Sequence, residues 1–150
     1  MNIVIEGCDG TGKSTLAKHI CDRFGLRYWH ESQPRSYDEY VSMLSCGGTV
    51  FDRFCFGQFV YNRPEDRKLS EAELNKLLTE VFPATNTLLI YVDCSTEEIF
   101  NRMIARGEAQ KKDAIEAEKW IKNIRGTYKE YLNKIGCPYV QVNGGFGLCI

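Results

Sequence analysis

The chain has almost no net charge: 19 lysines and arginines face 20 aspartates and glutamates across 150 residues, a formal balance of −1. That argues against a broad electrostatic grip on nucleic acid or an anionic membrane, and leaves room only for a local basic pocket. No two of the seven cysteines stand at C-x-x-C distance, which argues against a zinc site. No apolar run approaches the roughly 18 residues that a membrane-spanning helix needs. Met1 runs directly into Asn2-Ile3-Val4-Ile5, which reads as a strand and not as the charged start and long apolar stretch of a secretory leader. Internal repeats, low-complexity tracts and long linkers are also missing. What remains fits one soluble domain in a reducing cytoplasm, with most thiols acting as small buried hydrophobes. A domain of this length buries roughly 70% of its unfolded surface and needs no disulfide or structural metal to fold.

The elements alternate. Residues 3–5 form a short apolar strand of the kind buried on both faces of a parallel sheet. Residues 13–24 predict a helix with Leu16, Ile20 and Phe24 on one face and Gly25 as its stop. Strands follow at 27–30, at 49–51 ahead of Asp52, at 88–92 and at 139–142. Ser36 with Glu39, and Ser70 with Glu73, have capping-box spacing and open two further helices, the second expected to end at Pro83. Residues 55–62 are aromatic-rich and helical. Ser95 caps a helix to about Arg106, and residues 107–113 form a polar loop. Ala117, Ile121, Ile124, Tyr128, Leu132 and Ile135 mark a long amphipathic helix. Strands alternating with helices imply an α/β fold: a five-stranded parallel sheet flanked by helices. Ligands in such sheets bind beyond the carboxyl ends of the strands, where Glu6, Glu31, Asp52 and Asp93 all fall.

The first strand runs into Gly7-Cys8-Asp9-Gly10-Thr11-Gly12-Lys13-Ser14-Thr15, and a helix begins at once. This is a phosphate-binding loop in its full context. The glycines let backbone N–H groups converge on one anion, and the helix N-terminus adds a partial positive charge there. Lys13 reaches the β- and γ-phosphates of a nucleoside triphosphate, and the Ser14 hydroxyl is a Mg²⁺ ligand. The motif identifies phosphate binding without separating kinase from ATPase, GTPase or motor.

Asp52-Arg53 ends the third strand, beside that loop. The carboxylate can hold Mg²⁺ and the guanidinium can clamp phosphate in fork geometry. Arg102 and Arg106 share one helical face, and with Lys111 and Lys112 they form a basic lid that can close over a triphosphate. On the acceptor side stand Glu31 and Arg35, then Phe54, Gln58 and Tyr61. Aromatic rings there can sandwich a nucleobase while Gln58 or Asn62 reads its edge.

Four segments resemble the thymidylate kinase family, and more closely the small bacteriophage-type kinases related to it. They are residues 5–15, Asp52-Arg53-Phe54, Phe59-Val60-Tyr61-Asn62, and Leu89 to Asp93 with Glu97, Asn101-Arg102 and Arg106-Gly107-Glu108. The resemblance implies that Asp9 contacts the acceptor sugar. It implies that Arg53 binds the acceptor phosphate or the group in transfer. It also implies that Arg106 and a lid lysine serve the ATP donor, as fits a phosphate loop with Gly10 where a basic residue could stand. The family's Arg-Glu-Pro-Gly-Gly segment is here His30-Glu31-Ser32-Gln33-Pro34, and the stretch from Glu31 to Asp52 leaves room for one helix. A homodimer is left open by these residues.

The expected activity is therefore Mg²⁺-dependent phosphorylation of a deoxynucleoside monophosphate by ATP, with dTMP favoured, in a cytoplasm that could be that of a phage host. The alternatives are a deoxynucleoside kinase using Glu31 as general base, a polynucleotide kinase, and a nucleotide-binding module without turnover. Positioning and charge neutralisation are most of the work in such chemistry. Lys13→Ala should lower kcat by at least ~100-fold, the scale of deleting one preorganised electrostatic group. An ADP-release assay checks this, with circular dichroism to confirm that the variant is folded.

Overall fold

The computed structural model describes residues 1–144. Five strands form one parallel sheet: β1 Asn2–Glu6, β2 Arg27–His30, β3 Thr49–Asp52, β4 Thr87–Asp93 and β5 Val140–Asn143. Their spatial order is β2-β3-β1-β4-β5, so the chain leaves β1, builds one edge, then crosses back to build the other. The helices are α1 Lys13–Phe24, α2 Tyr37–Ser45, α3 Gly57–Val60, α4 Glu71–Lys76, α5 Phe82–Ala84, α6 Thr96–Ala105 and α7 Ala114–Ile135. Among the described residues, no helix is long and apolar enough to cross a membrane.

The period of two along each strand sorts its side chains into two cores. Ile3, Ile5, Val50, Ile90 and Val92 pack with Leu16, Ala17 and Cys21 of α1 on one face. Val4, Phe51, Leu89 and Tyr91 pack on the other with Tyr40 and Leu44 of α2, Leu74 of α4 and Ile121, Tyr128 and Leu132 of α7. Strands β1 and β3 are buried throughout, while every residue of the edge strand β2 is exposed. Ser36 and Ser70 each accept an N–H from the Glu three residues on, and that Glu returns a bond to the cap, so both capping boxes form. Ser95 accepts the Glu98 N–H.

The helical run ends at Ala84, one residue past the Pro83 expected to end it, but not as one regular helix. After α4 the chain widens into a π-helical stretch, Leu77–Val81, and then re-enters α5 with the proline in its first turn. A proline in regular α-helix lacks its N–H and drives its ring into the carbonyl four residues back. The wider turn beneath it removes that conflict. The helix predicted over residues 55–62 is also shorter, a single turn.

Gly7 follows β1 directly and lies against β4: a Cβ built on it would stand 2.3 Å from the Val92 carbonyl oxygen. The Val92 carbonyl is backbone of β4, so it does not yield cheaply. Gly126 is the opposite case, exposed in the interior of α7 with no atom within 4 Å of its would-be Cβ. Gly7→Ala should cost about 2 kcal/mol or more. Gly126→Ala should stabilise by about 0.5–1 kcal/mol through the unfolded chain. Urea unfolding of the two variants beside the parent measures both.

Candidate active site

The phosphate loop connects β1 to α1. Gly10 and Gly12 take positive φ, 81° and 92°, and Gly12 occupies the N-cap position of α1. The Thr11 hydroxyl donates to the Cys8 carbonyl at 2.8 Å and closes the turn from within. Arg102, on α6, donates to the Gly10 carbonyl at 2.9 Å and pairs with Glu98 at 3.4 Å. Asp9, Gly10, Gly12, Lys13, Ser14, Thr15, His30, Arg53, Arg106 and Glu108 line a cleft of about 350 Å³ over the loop. Three cations thus face one concave space. Lys13 is buried, which pulls its ammonium below the ordinary value, while Asp52 and Glu6 pull back. Its Nζ lies 3.3 Å from Asp9 Oδ1, and Arg53 pairs with the same carboxylate oxygen.

Asp52 ends β3 behind Ser14. Its Oδ2 accepts the Ser14 hydroxyl at 2.6 Å, and its Oδ1 is buried with no hydrogen-bond partner. Burial pushes its carboxyl up, but the bonds from Ser14 and Tyr28, the Lys13 charge and the His30 contact outweigh it, so the group sits below its usual value. Asp52 lies behind Ser14 and does not itself line the cleft; by taking the Ser14 proton it leaves that hydroxyl's lone pairs free, an oxygen donor backed by a negative charge and suited to a hard cation. These two residues fit Mg²⁺.

Arg53 takes φ 68°, left-handed for a residue with a side chain. Its N–H donates to the Ile5 carbonyl at 2.9 Å, and its guanidinium lies 4.7 Å from the centre of the Tyr61 ring. The turn it opens is anchored by Glu6, buried at the end of β1. Glu6 Oε1 accepts the N–H groups of Phe54 at 2.8 Å and Phe56 at 3.3 Å, and Oε2 accepts the Tyr128 hydroxyl at 2.9 Å. Burial drives the Glu6 carboxyl up to about 7 despite these bonds and the Arg53 charge.

A second, narrower pocket of about 70 Å³ opens on the other side of Arg53. Its lining includes Glu31, Ser32, Gln33, Phe54, Gln58, Tyr61 and Asn62. Glu31 is committed within it: Oε1 accepts the N–H groups of Ser32 and Gln33, and Oε2 accepts Arg35 Nε at 2.6 Å. Arg35 turns away to bridge Glu31 and Glu39 and does not line the pocket. Gln58 lines it, yet its amide is fully engaged. Nε2 donates to the Arg35 carbonyl and the Tyr40 hydroxyl, and Oε1 accepts from Lys68 and Leu69. Phe54 packs into the core against Tyr40 and Phe51.

Of the lid residues, Arg106 reaches the cleft. Arg102 is held by the Gly10 carbonyl. Lys111 and Lys112 sit exposed on a 3-10 turn, Lys111–Asp113, outside the cleft lining. Gly144, the last described residue, lies against the Thr11 carbonyl, so any part that residues 145–150 play at the donor site lies outside the described residues. Sequence reasoning gave no role to Tyr28 and His30 on Asp52, to Tyr128 on Glu6, or to Arg125, which takes Asp93 with two nitrogens at 2.8 and 3.0 Å. The available signal was the polar tip on alternate residues of β2. The α7 partners join residues 32 and 122 positions apart and left no local trace.

No protein-family model matches the chain. No curated protein matches it in sequence. Solved structures match it in fold, and kinases built around a phosphate loop are among them. The YorR protein of Bacillus subtilis, in complex with phosphorylated GDP, aligns at TM-score 0.80 and 18% identity over 95% of this chain and 85% of its own. Deoxyadenosine kinase of M. mycoides with bound dATP aligns at TM-score 0.57 and 19% identity over 99% of this chain and 93% of its own. Shikimate kinase of Acinetobacter baumannii, in complex with shikimate, aligns at TM-score 0.64 and 12% identity over 97% and 84%. At these identities the likeness is one of fold: the chain has the α/β architecture of P-loop kinases.

Glu6 makes the stability of the chain depend on pH. Its folded-state pKa lies above the ordinary 4.5, so the folded protein holds this proton more tightly than the unfolded one. The Glu6 contribution is therefore most favourable below pH 4.5 and declines as pH rises toward about 7. Glu6→Gln keeps an acceptor for Phe54 and Phe56 and removes the titration. Relative to the parent, this variant should gain about 2 kcal/mol between pH 5 and pH 8. Urea midpoints across that range provide the measurement.

Proposed function

We propose that the chain transfers the γ-phosphoryl group of ATP to a deoxynucleoside monophosphate, with dTMP the favoured acceptor. The observation that carries this reading is the place of Arg53, whose side chain lines both the phosphate cleft and the narrower aromatic pocket. A cation at that junction can hold the acceptor's phosphate in line with the donor's. Among fold neighbours, YorR is seen with phosphorylated GDP, whereas the M. mycoides deoxyadenosine kinase, seen with dCMP among its products, is the counterpart for the nucleoside alternative. The preference for dTMP rests on the resemblance of the motifs to thymidylate kinases.

In this scheme the loop N–H groups and Lys13 grip the β- and γ-phosphates. Mg²⁺, held by Ser14 and Asp52, would neutralise triphosphate charge when bound. Arg106 adds a third cation over the cleft. Asp9, which balances Lys13 and Arg53 when no phosphate does so, turns to the acceptor sugar. The acceptor's phosphate oxygen attacks the γ-phosphorus, the bond to the β-phosphate oxygen breaks, and ADP departs. The attacking oxygen is already ionised, so no proton has to be removed. Glu31 suits this chemistry as a scaffold: its oxygens hold Arg35 and two backbone N–H groups and so shape the pocket wall.

A nucleoside hydroxyl, by contrast, needs a general base, whose removal costs ~100- to 10,000-fold. Under the nucleotide reading Glu31→Gln should lower kcat by less than ~10-fold, while Arg53→Ala should lower it by at least ~100-fold. The parent should phosphorylate dTMP much faster than thymidine at equal concentration. Steady-state kinetics with both acceptors decide the matter. A parent that prefers thymidine, with Glu31→Gln nearly inactive, would overturn the proposal in favour of a nucleoside kinase.

A further inference from the structure

The Asp52 carboxylate is used unevenly. Oδ2 takes three donors: the Ser14 hydroxyl at 2.6 Å, the Tyr28 hydroxyl at 2.7 Å and His30 Nδ1 at 3.3 Å. Oδ1 takes none, although Asp52 is fully buried. A carboxylate can turn about its last bond and share donors between its oxygens. Three donors gathered on one oxygen from two different elements resist that rotation and keep the other oxygen bare.

Two of the donors come from the edge strand. Tyr28 and His30 are two apart on β2 and share one face of it. The parallel register sets His30 opposite Asp52 and Tyr28 opposite Val50. This is the α1 side of the sheet, where Lys18 Nζ lies 5.5 Å from the centre of the Tyr28 ring. Trp29, between them, lies beside the Arg35 guanidinium, 5.6 Å from its ring centre. Against a carboxylate oxygen that already accepts two hydroxyl donors, His30 makes this contact as a donor through Nδ1. A mere tie between β2 and β3 would be redundant, since backbone pairing already joins the strands over four residues. Nor would a tie account for donors crowding one oxygen while the other stays bare.

We infer that Tyr28 and His30 are positioning residues that lock the Asp52 carboxylate against the Ser14 hydroxyl, so that Ser14, which lines the phosphate cleft, keeps its lone pairs free for the divalent cation carried by the nucleoside triphosphate. The inference rests on the Mg²⁺–ATP reading above, but not on the identity of the acceptor. Partners of this kind, one step removed from a metal, change metal affinity by 10- to 100-fold when lost.

The test is calorimetric titration of ATP into the full chain, once with Mg²⁺ and once with EDTA. The ratio of the two dissociation constants measures how well the site couples nucleotide to cation. Tyr28→Phe removes one O–H from a half-exposed ring and leaves no cavity. It should reduce that ratio about 10-fold while leaving the EDTA value within about 2-fold of the parent. His30→Ala should act in the same direction, and His30→Asn, which restores a donor, should recover part of the loss. Should His30→Ala fail to fold, Tyr28→Phe and His30→Asn carry the test.

An unchanged ratio in Tyr28→Phe, or equal weakening with and without Mg²⁺, would overturn the inference, as would a parent whose ATP affinity does not respond to Mg²⁺. A chain that shows the coupling loss yet never phosphorylates dTMP would support the positioning role while refuting the proposed acceptor.

Discussion

Glu6 takes two backbone N–H groups of the β3–α3 turn on one oxygen and the Tyr128 hydroxyl on the other, all within the core. This buried carboxylate links β1, the turn after β3 and the long helix α7, three parts of the chain that share no local sequence. Burying it without partners would be prohibitive, and three donors make it tolerable. The result is a turn stiff enough to hold Arg53 in a left-handed conformation and to aim its guanidinium across the mouth of two pockets. Strain of that sort persists only where its surroundings over-determine it. Here the anchor lies directly beneath.

The charges of the cleft follow the same logic. Lys13, Arg53 and Arg106 converge, and without an anion they would repel one another. Asp9 stands between the first two and balances them. It is half-exposed, so its hold is soft, and a phosphate bearing two charges can displace it. The other carboxylates at the strand ends are each committed elsewhere: Glu6 to the turn, Glu31 to Arg35 and its own loop, Asp52 to Ser14, and Asp93 to Arg125. Four acids at the rim of one sheet therefore do four different jobs.

Edge strand β2 looks dispensable by burial, since none of its residues is buried. Its value is positional. Parallel pairing places two of its polar tips against one buried oxygen of Asp52. Exposure at a sheet edge and function at the same place are compatible, because a hydrogen bond to a charged group requires reach and alignment more than burial.

Much of the chain was legible from order alone. The phosphate loop is a contiguous stretch whose geometry follows from its own glycines and from the strand and helix that flank it. The capping boxes at Ser36 and Ser70 are local in the same sense, and so are the alternating apolar strands. Local spacing also put Arg53 and Asp52 at the end of β3 and Arg106 at the end of α6. Tertiary structure alone decided which of the marked residues face ligand space. Gln58 reads as a base-reading amide until Arg35, Tyr40, Lys68 and Leu69 consume its hydrogen bonds. Arg102 and Arg106 look equivalent on one helical face, yet only Arg102 meets the Gly10 carbonyl. Tyr28, His30, Tyr128 and Arg125 acquire partners at separations of 22 to 122 residues. The physical reason is range. A turn, a cap or a glycine acts on neighbours along the chain, whereas a side chain's last hydrogen bond is set by whatever the folded sheet brings beside it.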